Sequence, residues 1–319
     1  VIVSHPLLFN DGAGNNNVEN YRAYRSSAAG GSYNAIIVDV TELTDQFGFG
    51  IKNHPAAIRN FGNYALANFS SAPQYFYFIG KGLSYPEFKN HESDPNIDEL
   101  ALVPTFGYPA SDNLLLAQRT QSYSQVSIGR LSAISGKEVG DYLNKIKQFE
   151  LIQNSSVQTN ANKGWMKNIA QITGAIDDVS LSTLINFFMN GYKQTVGDTS
   201  FGGKVYSFNK NSGLYTAIGS SKTIDDLFAE GMSYLKYFGH SSPNTLEFNL
   251  DNPQHYNNTG KYPLIMVNGC NTGNLFLFDT LRPVSKGTLS EKYIFAENKG
   301  SIGFIADTDY IRFRLDQRG

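Results

Sequence analysis

Cysteine is nearly absent from this chain: its 319 residues carry one, Cys270. A single thiol cannot close an internal disulfide, which excludes a disulfide-stapled scaffold and zinc sites of the cysteine-rich kind. Long apolar runs are missing too, and no stretch approaches the ~20 residues needed to cross a bilayer. Neither sign of charge is in excess, with 26 Lys and Arg against 28 Asp and Glu. No basic run of the sort that follows a phosphate backbone occurs, so nucleic acid is not an expected partner. There is no basic n-region leading into an apolar h-region. The chain opens directly on strand-like Val1-Ile2-Val3, as a piece excised from a longer chain does. Histidine is sparse as well. His5, His54, His91 and His255 lack metal-ligand spacing, and structural or solvated roles account for them.

What remains is a globular composition, 41% hydrophobic, sufficient for a sizeable core and near the upper size of one domain. One large domain and two lobes both fit that length. The 19 Tyr and 22 Phe fall largely at core spacing, so packing explains them better than a ligand platform does. Strand and helix patterns alternate, which is the signature of an α/β fold. Strands are expected at 35–40, 75–79, 125–128, 169–173, 204–208, 232–239, 263–269 and 301–305. Between them fall helical patterns, one starting near Asn53 and Pro55, others carrying Val139 to Phe149 and Leu181 to Tyr192. A capping box is expected at Thr223 to Asp226, and a further helix at 290–297. The stretch from Gly80 to about Asp112 reads as loop. Residues 153–166 are polar and aperiodic at their start and form the expected linker between a first half, 1–152, and a second, 167–319.

The second half holds the chemistry. The apolar run Met232 to Gly239 ends at His240, and the run Pro263 to Gly269 ends at Cys270. In an open sheet of parallel strands the carboxyl ends share one edge, so two such residues meet although they are distant in sequence. A thiol beside an imidazole is a nucleophile beside its base. A lone cysteine is more often a small buried hydrophobe. Here the polar, Gly-rich surroundings Asn268-Gly269-Cys270-Asn271-Thr272-Gly273-Asn274 mark a loop at a strand end instead.

The motifs Tyr237-Phe238-Gly239-His240-Ser241 and Val267-Asn268-Gly269-Cys270-Asn271 resemble the His-Gly and Ala-Cys strand ends of the clan CD cysteine peptidases. Further segments narrow the resemblance to the gingipain family, and within it to the sortase-like, PorU-type members of the bacterial type IX secretion system. They are Asp45 to Ile51, His54 to Phe61, Leu102 to Gly107, Ser111-Asp112-Asn113, Ile128-Gly129-Arg130-Leu131 and Gly300 to Ala306. These segments span nearly the whole chain.

The resemblance implies a caspase-like α/β fold with mainly parallel sheets in two side-by-side subdomains, the site lying at the carboxyl edge of the second. It implies a cysteine peptidase or transpeptidase in which Cys270 attacks a peptide carbonyl and His240 serves the proton transfers. The thioacyl intermediate is resolved by water or by an incoming amine. The backbone N–H groups of Ser241 and Cys270 are the implied oxyanion donors. Ser241 stands where the family usually has Gly, and Gly269 where it often has Ala; the first change preserves the donor only if the backbone there has no positive φ. Asp177 and Asp178 fall where gingipains carry acidic residues that assist the histidine or select the substrate side chain, although a helix N-cap pair explains them equally simply. Thr308 falls at an implied wall of the specificity pocket. No cofactor is required, and a structural calcium ion is allowed without a loop motif for it. The implied partners are a polypeptide substrate, the C-terminal region of secreted proteins, and outer-membrane secretion components; the implied location is the cell surface. The competing expectation is a catalytically silent scaffold or interaction module of the same machinery.

Overall fold

The computed structural model describes residues 1–118, 120–155, 157–174, 179–209, 218–219 and 221–309. The chain divides into two compact units, Val1–Glu150 with Leu275–Ser285, and Leu151–Asn274 with Lys286–Gly319.

The first unit is built on a parallel sheet of β1 (Ile2–Ser4), β2 (Ile37–Asp39), β3 (Tyr75–Ile79) and β4 (Ser127–Leu131), in the order β2-β1-β3-β4. Its helices are α1 (Asn17–Ser26), α2 (Val40–Phe47), α3 (Ala56–Asn68), α4 (Tyr85–Asn90), α5 (Ile97–Leu100) and most of α6 (Gly136–Asn154). The second unit holds the short α7 (Asn160–Lys163), α8 (Val179–Gly197), α9 (Ile224–Glu230) and α10 (Leu289–Phe295). Its parallel sheet runs β6-β5-β7-β8-β9, formed by β5 (Asn168–Thr173), β6 (Lys204–Asn209), β7 (Tyr234–Phe238), β8 (Leu264–Asn268) and β9 (Gly303–Ala306).

Parallel strands are covered on both faces, which is why they read as apolar runs. In the second sheet Leu235 and Tyr237 of β7 and Ile265 and Val267 of β8 enter one buried cluster. Leu227 and Phe228 of α9 and Leu289 and Tyr293 of α10 belong to the same cluster. The alternate residues face the other way: Phe238 packs with Ile185 and Met189 of α8. The capping boxes at Thr223 and Thr288 close the N-termini of α9 and α10, each with reciprocal side-chain bonds to the third helical residue.

Four details differ from the sequence pattern. The strand expected at 35–40 stops at Asp39, whose carboxylate accepts the Thr41 N–H at 2.7 Å and so starts α2. The helix expected from Asn53 begins at Ala56, with Asn53 itself at φ 60°. The loop-rich stretch after Gly80 contains α4 and α5. Finally, 153–166 contains α7 and a 3-10 turn at Gly164–Lys167 that buries Trp165, while Leu275–Ser285 returns to the first unit. Arg282 explains that return. It is fully buried, pairs with Glu138 at 2.8 Å and donates to the Ser132 carbonyl at 3.0 Å.

Candidate active site

β7 and β8 are paired in register, Phe238 opposite Asn268. His240 and Cys270 each lie two residues beyond that pair, on neighbouring strands of the kind spaced ~4.8 Å apart. His240 is exposed and Cys270 half-buried. Among the described residues neither the imidazole nor the thiol is held in a hydrogen bond.

Tyr237 sets the histidine loop. Its ring is fully buried, and its hydroxyl donates to the His240 carbonyl at 2.6 Å while accepting the Glu247 N–H at 3.3 Å. Burial pushes that phenol well above the ordinary tyrosine range, so it stays a donor. The loop then closes on itself. Ser241 lies opposite Leu246, the Ser242 N–H donates to the Thr245 carbonyl at 3.0 Å, and Asp251 accepts from both the Thr245 hydroxyl and the Leu246 N–H. The strand ends beneath it approach closely. A Cβ on Gly239 would sit 2.5 Å from the Cα of Gly174, the residue after β5, so no larger side chain fits.

The cysteine loop turns back on the end of β9. Asn271 takes the left-handed conformation, φ 58°, and its N–H donates to the Asp309 carbonyl at 3.1 Å. The Gly273 N–H donates to the Asp307 carbonyl at 2.9 Å. Thr308, half-buried, thus lies in the segment that flanks the Cys270 loop. The Ser241 hydroxyl donates to the Cys270 carbonyl at 2.9 Å and ties the two loops together. Ser241 has no positive φ, so a serine side chain stands there without backbone strain. Among the described residues, the N–H groups of Ser241 and Cys270 donate to no protein acceptor. Asp177 and Asp178 lie outside the described residues. Among the described residues no group of three or more His, Cys, Asp or Glu side chains is placed to hold a metal ion.

A polar group that no motif announced lies on the α8 face of the same two strands. Lys236, buried in β7, donates to Asn268 Oδ1 at 2.6 Å and rests 4.5 Å from the Tyr192 ring centroid. Burial lowers its ammonium pKa, against the pull of Asp307, and burial raises the Asp307 carboxyl, against the pull of Lys236. The visible signal was a lysine inside an otherwise apolar strand.

The sequence profile of peptidase family C25 matches residues 1–314. A search of curated proteins found no match. Among solved structures, the complex of Porphyromonas gingivalis RgpB pro- and mature domains superposes with a TM-score of 0.63 at 16% identity, covering 98% of this chain and 64% of that one. The Arg-specific cysteine proteinase gingipain R (RgpB) gives 0.63 and 16%, covering 98% and 63%. The fold is therefore gingipain-like, and this chain spans less than two thirds of the chains it resembles.

Proposed function

The chain belongs to peptidase family C25, and from that premise we propose that it is a cysteine peptidase with Cys270 as nucleophile and His240 as the proton-transfer group. The observation that carries this reading is the position of both residues, two beyond the Phe238 and Asn268 register pair, one exposed and one half-buried, with neither side chain engaged elsewhere among the described residues. The Cys270 sulfur attacks the carbonyl carbon of the scissile peptide, and the Ser241 and Cys270 N–H groups receive the oxyanion. Collapse of the tetrahedral intermediate breaks the C–N bond. His240 delivers a proton to the departing amine, leaving a thioester on Cys270. Attack by water yields an acid; attack by an amine yields a new amide; either returns the thiol.

We assign the amine route, a sortase-type transpeptidation of the C-terminal signal of type IX secreted proteins at the cell surface alongside outer-membrane secretion components. The segments Asp45 to Ile51, Leu102 to Gly107 and Gly300 to Ala306 support this branch by resemblance. Thr308 is proposed to wall the side-chain pocket, and Asp177 or Asp178 to orient the imidazole or select the substrate. The scheme requires no cofactor. The test is complementation of a deletion strain, scoring signal removal from a secreted reporter and its attachment to the surface. Cys270→Ala is expected to lose both. Full function of Cys270→Ala establishes the scaffold role instead, and signal removal without attachment in the parent strain establishes hydrolysis over transpeptidation.

A further inference from the structure

We infer that Ser241 and Gly269 form a size-matched pair across the β7 and β8 strand ends, and that the Ser241 hydroxyl is a positioning group for Cys270. A Cβ built on Gly269 would lie 2.2 Å from Ser241 Oγ, 3.0 Å from Ser241 Cβ and 3.0 Å from the Gly239 carbonyl oxygen. The first distance is inside any permitted contact. Rotating the hydroxyl away relieves it only by giving up the 2.9 Å bond to the Cys270 carbonyl, and the contact with Ser241 Cβ stays tight. A methyl at 269 and a Ser241 hydroxyl bonded to the Cys270 carbonyl therefore exclude one another. Gly269 has no positive φ, so glycine is required there for space and not for its dihedral freedom.

The two places where the sequence departs from the His-Gly and Ala-Cys pattern are these two touching positions, so the departures amount to one exchange. Here the side-chain bulk stands on the histidine loop and carries a hydroxyl, while position 269 is bare. That hydroxyl grips the peptide leaving Cys270, which fixes the rotation about the Cα from which both the thiol and the Cys270 N–H project. The loop bearing His240 is thereby coupled to the residue carrying the sulfur by a bond that a glycine at 241 cannot make. The positioning role rests on the proposed chemistry of Cys270; the size pairing does not.

The experiment is a double-mutant cycle in the full chain, read by Tm, by the iodoacetamide rate of Cys270 against pH, and by kcat and KM on a peptide substrate. Gly269→Ala is expected to lower Tm by roughly 3–8 °C, as overpacking does, and to slow alkylation. Ser241→Gly added to Gly269→Ala is expected to recover most of both losses. Ser241→Ala keeps the Cβ and deletes the hydroxyl. It should move Tm by no more than about 2 °C, lower kcat roughly three- to tenfold with KM held, and alter the pH dependence of alkylation. Additive Tm losses in the cycle, or a double variant that fails to fold, overturn the size pairing. An unchanged kcat and alkylation profile in Ser241→Ala overturn the positioning role. If the parent cleaves no peptide, the peptidase reading fails while Tm and alkylation still decide both parts of the inference.

Discussion

The two sheets end in opposite ways although they are wound alike. Each has its second strand at one edge, then the first, third and fourth, so β3 corresponds to β7 and β4 to β8. Register extends the correspondence past the strands, with Ile79 opposite Leu131 in one sheet and Phe238 opposite Asn268 in the other. Gly80-Lys81-Gly82 then matches Gly239-His240-Ser241, and Ser132-Ala133 matches Gly269-Cys270. Where the second edge has an exposed imidazole and a half-buried thiol, the first has Lys81 and Ala133, both fully buried. Lys81 spends its ammonium on the Leu275 carbonyl at 2.6 Å. Beside it Arg130 pairs with Asp112 through both Nε and Nη2 and donates to the carbonyls of Gly80, Val103 and Pro104. One edge is sealed by satisfied charge, and the other is held together by close glycine contacts that leave the His240 imidazole and the Cys270 thiol unspent. The topology supplies a place for chemistry in both units, and the residues at the strand ends decide whether chemistry occupies it.

The largest expected effect breaks the comparison directly. Cys270 should react with iodoacetamide in the folded chain, because the half-buried thiol is within reach of the reagent. An Ala133→Cys thiol, placed in a Cys270→Ala background, should react on the order of a hundredfold or more slowly, since only local opening exposes it. Mass spectrometry of native and denatured samples measures both rates. Equal rates at the two positions would mean that the edges do not differ as described.

Next in size is the seal itself. Asp112→Ala leaves the nearly buried Arg130 guanidinium without its carboxylate, and removing one partner of a buried pair costs about 3–5 kcal/mol. Denaturant unfolding followed by circular dichroism measures the loss. A change below about 1 kcal/mol would show that water, and not Asp112, satisfies that edge.

These contrasts also show what was legible in the sequence. The parallel strands were, because burial on both faces makes them continuous apolar runs; the ends of β7 and β8, and hence His240 and Cys270, followed from where those runs stop. The capping box at Thr223 was equally local and equally readable. Helix α1 was not, because Asn17–Ser26 buries only Val18 and Tyr21 and shows little apolar periodicity. The segments Ser111 to Asn113 and Ile128 to Leu131 stood out by resemblance, but their physical content, the Asp112 and Arg130 pair, exists only once the chain has folded. The same holds for Tyr237 on the His240 carbonyl and for the space shared by Ser241 and Gly269. Sequence pattern reports which residues are buried; it carries no account of which atoms compete for the same volume.

The smallest expected effect separates two buried lysines, one in each unit. Lys145 of α6 is almost wholly buried, and burial draws its ammonium down to about 7 from an ordinary 10.5. Lys236 is drawn down by burial too, but Asp307 opposes the shift. A lysine whose folded pKa is depressed binds fewer protons in the folded state than in the unfolded one between those two values. Stability therefore rises with pH across that window and is lowest below it, where both states are protonated and the buried charge carries its full penalty. For Lys145 the gain between pH 7 and pH 9 should be about 2 kcal/mol, from roughly 1.4 kcal/mol per pH unit. Lys145→Met should flatten that rise, its stability relative to the parent falling as pH climbs from 7 to 9, whereas Lys236→Met should change the slope less. Unfolding free energies of the three chains at pH 7, 8 and 9 provide the measurement. Parallel profiles for the parent and Lys145→Met would show that the Lys145 ammonium keeps an ordinary pKa, through water reaching it or a partner offsetting its burial.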